Sequence, residues 1–142
     1  METVFDGPLW VVDFLPRQVP AGSTGQFFAV EAFFLREPQH TSLLNRFEEI
    51  LLKLNCYFDM RYVDPREDSS RDNLPPEQLT SWLTRDLCIL VPAENTLLTL
   101  NRGDTHMTVY HPSEQFLRLL EQLAGAAGLF VWQPPMKGSD VL

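Results

Sequence analysis

Three side chains in one short segment could do acid–base chemistry. His106, Thr108 and Tyr110 alternate with Met107 and Val109, so a strand there would set an imidazole, a hydroxyl and a phenol on one side. An imidazole titrates near neutral pH and can serve as a general base, which makes His106 the one candidate catalytic residue, with Tyr110 or Arg61 to orient a small substrate. The same spacing equally suits the solvent side of a hairpin. No serine is placed as a nucleophile, and neither Cys56 nor Cys88 has a basic neighbour in sequence to lower its pKa.

A second set of residues suits binding. Alternation along the apolar runs puts Asp13, Glu31, Asp59 and Arg61 on the side of the strands opposite Trp10, Val12, Phe14, Phe28, Val30, Ala32, Phe34, Phe58, Met60 and Tyr62. Phe27, Phe33 and Tyr57 fall on that same outer side. Aromatic and charged groups mixed on one surface are typical of protein interfaces, although cross-strand ion pairs on a solvated sheet would read alike. Three carboxylates could hold a hard cation, but Arg61 among them already supplies positive charge, so no metal and no cofactor is expected.

Smaller motifs lead nowhere. His106-Met107-Thr108-Val109 and His40-Thr41-Ser42-Leu43 fit the loose His-x-Thr/Ser-apolar pattern of two-histidine phosphoesterases, yet His40 precedes a helix rather than lying on a strand. Gly22 and Gly25 precede an aromatic run instead of a helix start, so they form no phosphate loop.

The elements that must position these residues are read from periodicity. Leu9 to Leu15 is a strand closed by Pro16, and Gln26 to Leu35 a second strand, with Ala29, Glu31 and Ala32 leaving a helix as the alternative. Leu43, Leu44, Phe47, Ile50, Leu51 and Leu54 make one helical stripe, with Thr41 or Ser42 as its cap and Asn55 as a left-handed end. Tyr57 to Val63 alternates as a strand. Asp64 to Pro76 is polar and proline-broken, hence an irregular surface loop. A short helix over Glu77 to Asp86 leads to a strand at Cys88 to Val91. A hairpin turns at Arg102-Gly103-Asp104, and a helix capped by Ser113 carries Phe116, Leu117, Leu120 and Leu123 to Gly128 before a last strand, Leu129 to Gln133.

Setting Asn55 against Gly128 brings Leu43 opposite Phe116, Phe47 opposite Leu120 and Ile50 opposite Leu123. The expected fold is α+β: one domain over 1–142, with a largely antiparallel sheet of six to seven strands and two main helices on one face. It would be built as two pseudo-repeated ββαβ units, 8–63 and 96–134, linked by 64–95.

Composition narrows the functions. Eleven Lys and Arg against nineteen Asp and Glu leave a net charge of -8, which repels phosphate backbones and anionic headgroups, so nucleic acid and membrane are not expected partners. No apolar run approaches the roughly 18 residues of a membrane span, and METVFDGPLW is acidic where a signal peptide is basic. A cytoplasmic protein is expected, with both cysteines as buried, unpaired thiols. The segments VVDFLPRQVP and LLKLNCYFD resemble a family of small bacterial proteins of unknown function, which implies a prokaryotic setting and carries no mechanism.

These observations converge on a protein-binding module whose partner is another protein, a basic one or a second copy of the chain. Its most concrete form is an immunity-like inhibitor of a basic toxin or nuclease. A small hydrolase using His106 and a structural homodimer are the alternatives.

Overall fold

The computed structural model describes residues 8–135; residues 1–7, with most of the acidic N-terminal stretch, and 136–142 lie outside the described residues. The chain runs β1 (Leu9–Asp13), α1 (Phe27–Phe34), α2 (Gln39–Leu54), β2 (Arg61–Asp64), β3 (Ser69–Asp72), α3 (Pro76–Trp82), β4 (Leu87–Val91), β5 (Thr96–Leu100), β6 (Met107–Tyr110), α4 (Glu114–Ala126) and β7 (Phe130–Trp132). The seven strands form one sheet in the order β3-β2-β4-β5-β6-β1-β7, every pair antiparallel. The fold is α+β, and no described helix is long and apolar enough to cross a membrane.

The sheet reaches the expected size with a different membership. Segment 26–35, expected as a strand, is the helix α1. Its residues are apolar almost throughout, so a two-residue period cannot be told from a helical one, and Ala29, Glu31 and Ala32 favour the helix. The sheet also offers it no place beside β1, whose two edges are taken by β6 and β7.

Conversely, part of the expected loop 64–76 is the edge strand β3, paired with β2 through Arg61↔Asp72 and Val63↔Ser70. An edge strand needs a backbone partner on one side only, and its polar sequence Ser-Ser-Arg-Asp keeps the free edge solvated. Of the strand expected over 57–63 only the end forms. Residues 55–58 continue out of α2 as turns closed by Tyr57 N–H to Leu54 O at 2.9 Å and Cys56 N–H to Lys53 O at 3.1 Å. Cys56 is therefore exposed rather than buried.

The two long helices form where their stripes place them. In α4 the Ser113 hydroxyl accepts the Phe116 N–H at 3.0 Å, and Phe116, Leu120 and Ala124 are buried. Its end is a Schellman turn: Gly128 has φ +79, and the Leu129 N–H reaches Ala124 O at 2.8 Å. In α2 the buried stripe is Leu43, Phe47, Ile50, Leu51 and Leu54, but both expected ends differ. Glu37 accepts the N–H and the hydroxyl of Thr41 at the start. Asn55 stays right-handed at φ -65, because its side chain is held by Phe58 O and Asn73 Oδ1 at 2.9 and 2.8 Å.

Both helical stripes enter one buried cluster with Val12, Tyr62, Ile89, Leu98, Met107 and Val109. The repeat does not extend to the elements. Segment 8–63 runs strand-helix-helix-strand, whereas 96–134 runs strand-strand-helix-strand. The intervening 64–95 supplies β3, α3 and β4, and β4 lies between β2 and β5.

Candidate functional site

Asp13 ends β1. Val12 is fully buried in the core, so alternation turns Asp13 to the other side of the sheet. Register supplies its neighbours. Asp13 pairs with Phe130, Val11 with Trp132, and Val12 with Met107, which places His106 next to Asp13 one step beyond the last pair of β1 and β6.

The chain then leaves the sheet through Leu15 to Gly25 and returns as α1, where Phe27 and Glu31 stand one helical turn apart. Between these parts lies a cavity of about 410 Å³ whose wall includes Asp13, Arg17, Phe27, Phe28, Glu31 and His106, with Trp132 at its side. Gly22 turns the loop at φ +81, a conformation that glycine adopts freely.

The electrostatics of the cavity centre on Asp13. Burial pushes its carboxyl above the ordinary value; the Phe14 N–H, donating at 2.7 Å, and the nearby His106 pull it back only in part. The Trp132 indole also favours the ionised form. Among the described residues its N–H completes no hydrogen bond of good geometry, so its effect on Asp13 is that of a nearby dipole rather than a formed bond. The wall thus combines two carboxylates, one guanidinium, one imidazole and three aromatic rings.

The expected binding residues do not share one place. Asp13, Glu31 and Phe27 meet in the cavity and His106 joins them. Phe33 lies elsewhere on α1, beneath the Arg36 guanidinium at 5.8 Å, and Tyr57 is exposed in the turn after α2. Asp59 and Arg61 line a separate hollow, where Arg61 Nε is 2.8 Å from Asp72 Oδ1 and Asp59 accepts from Asn73 Nδ2 at 3.2 Å.

Arg61 does point to the same side of the sheet as Asp13, because Tyr62 is buried. However, β4, β5 and β6 stand between their strands, a gap of about 19 Å at about 4.8 Å per strand. β1 and β2 also run in the same direction, so the last residue of one and the first of the other lie at opposite ends of the sheet. Among the described residues no three His, Cys, Asp or Glu side chains gather closely enough to hold a metal.

Phe28, Trp132 and Arg17 were not among the expected site residues. Trp132 was legible, since alternation from Val131 turns it to the Asp13 side; Phe28 was assigned inward on a strand and is 81% exposed on a helix. Cys88, on the same side of the sheet, has its thiol pushed up by burial and is no ready nucleophile. No family model, no curated protein and no solved structure matches the chain.

Proposed function

We propose that the protein is a binding module that captures a basic protein partner through the cavity at Asp13 and Glu31 and the aromatic face of α1. The observation that carries this reading is α1 itself: eight residues, four of them Phe, none fully buried, with Phe28 and Phe33 exposed to solvent. Fully exposing a Phe forgoes roughly 1.5–3 kcal/mol of burial, and Phe28 stands at the rim of a cavity holding two carboxylates.

A Lys or Arg side chain suits such a cavity, because its charge meets Asp13 and Glu31 while its stem and cationic head lie against Phe27 and Trp132. The net charge of -8 steers a basic partner toward the surface. The arrangement further assumes that α2 and α4 cover the opposite side of the sheet, which their shared buried cluster supports. An immunity-like inhibitor of a basic toxin or nuclease remains the most concrete form, acting by occlusion, and two unpaired cysteines suit a reducing bacterial cytosol.

The test uses peptides of defined chemistry. An Arg- and Leu-rich peptide should bind, its Glu-for-Arg counterpart should not, and D13N/E31Q should weaken binding at least tenfold. Equal binding of the two peptides, or an unchanged Kd in the double variant, removes the reading. Light scattering on a dilution series tests self-pairing: a dimer abolished by Phe28→Ser would make the occupant of α1 a second copy of the chain.

The placement of His106 beside a carboxyl with a raised pKa favours one other reading, a small hydrolase with His106 as base. A panel of phosphoesters and acyl esters compared between wild type and His106→Ala decides it, since equal rates exclude His106 from any mechanism.

A further inference from the structure

A second concave site lies toward the β2–β3 edge of the sheet and has the opposite chemistry. The β2–β3 turn, the segment after α3 and the β5–β6 turn enclose a notch of about 580 Å³. Arg66, Arg71, Arg85 and Arg102 line it, together with Asp64, Glu67 and Asp86. Four guanidiniums against three carboxylates make this a locally positive spot on a chain whose net charge is -8.

Two of the carboxylates are structural. Asp64, only 2% exposed, accepts the N–H groups of Arg66 and Glu67 at 3.0 and 3.2 Å and pairs with Arg85 at 3.3 Å. Asp86 accepts the Arg102 N–H at 2.9 Å and so ties the β5–β6 turn to the end of α3. These carboxylates hold the β2–β3 and β5–β6 turns by backbone N–H groups and the segment after α3 through the Arg85 side chain, and they leave most of the guanidinium donors unused.

The arginines are correspondingly underused. Arg85 lies over the Trp82 ring at 4.1 Å and Arg71 approaches the same ring at 5.9 Å. Beyond that, Arg71 makes one bond, to Ser70 O at 3.0 Å. Arg66 is 3.7 Å from Asp86, too far for a hydrogen bond, and is 76% exposed. The Arg102 guanidinium has no hydrogen bond or ion pair among the described residues.

We infer that this notch binds a small phosphate-bearing anion, held by Arg71 and Arg102 with Arg66 at the rim and Arg85 as the fixed wall. A guanidinium fork matches phosphate oxygens two at a time, and several forks around one hollow favour a multivalent anion over chloride. The volume suits a small molecule, whereas the net charge repels a long phosphodiester. The inference is independent of the cation-binding role proposed for the cavity at Asp13.

The test is titration calorimetry and thermal unfolding of the intact chain with pyrophosphate, inorganic phosphate and glycerol 3-phosphate. Succinate and sodium chloride at matched ionic strength serve as controls. Wild type should bind pyrophosphate and gain Tm, and R71Q/R102Q should weaken binding at least tenfold while its Tm without ligand stays unchanged. Arg118→Gln, remote on α4, should bind as wild type does. A preference for glycerol 3-phosphate would identify an organic monoester as the source, and a preference for pyrophosphate a free anion. No binding, equal binding by the double variant, or equal effects of succinate or chloride would overturn the assignment.

Discussion

The cavity at Asp13 and the notch at Asp64 each join a carboxylate to aromatic rings, and they use the two groups in opposite ways. At the notch the carboxylate is spent on structure: Asp64 is enclosed, accepts two backbone N–H groups, and pairs with the Arg85 guanidinium that lies over the buried Trp82. At the cavity Asp13 has one strong bond, to the Phe14 N–H, and is held in a setting that disfavours its charge, with the Phe28 ring left open to solvent at the rim. The difference teaches where each site keeps its unmet bonding capacity. In the notch it resides in the arginines, whereas in the cavity it resides in Asp13, the Trp132 N–H and the faces of Phe27 and Phe28.

The sharpest way to break the comparison is to truncate one ring from each region. Trp82→Ala removes a ring that is 6% exposed and should lower unfolding free energy in urea by about 3–5 kcal/mol. Phe28→Ser, at a ring 81% exposed, should change it by less than about 0.5 kcal/mol while abolishing capture of the basic peptide. Similar losses in the two variants would mean that α1 is packed as firmly as α3.

Next in size is Asp64→Ala. It strands two N–H groups and the half-buried Arg85, for an expected loss of about 2–3 kcal/mol. Because the loops it ties form the notch, pyrophosphate binding should fall as well. A neutral outcome would show that Asp64 does not fasten the β2–β3 turn.

The smallest effect has the opposite sign. Burial raises the Asp13 pKa above its ordinary value of 3.8, so the native state favours the protonated carboxyl. Its contribution to stability is intact below the unfolded pKa and is lost as pH rises through the higher native one. Asp13→Asn should therefore unfold at a higher temperature than wild type near pH 7 and at the same temperature near pH 3. A Tm lowered at pH 7 would mean that the charged form is the one the fold favours.

The parts of the fold legible in the sequence are those whose pattern has a single period. The stripes of α2 and α4 bury one face of each helix, and β4 and β6 alternate buried with half-buried residues. Segment 26–35 has no polar face to set a period, and Ser69–Asp72 has no apolar one, so a helix was expected as a strand and a strand as a loop. The candidate site shared that fate. Asp13, Glu31, Phe27 and His106 were all singled out, but a sheet face shared with Asp59 and Arg61 was the wrong common ground, because alternation gives a side chain's direction and not its strand's place in the sheet.

By itself the sequence determined which side chains of α2 and α4 turn inward, since there a single local period and the removal of apolar surface from water decide it. Tertiary structure alone decided which outward groups meet. Strand order put β6 and β7 on either side of β1, and so gathered His106, Trp132 and Asp13. Pairing of β4 with both β2 and β5 carried Arg66 and Arg102 to one notch from turns far apart in the chain. Such meetings depend on pairing between distant segments, and no local pattern encodes it.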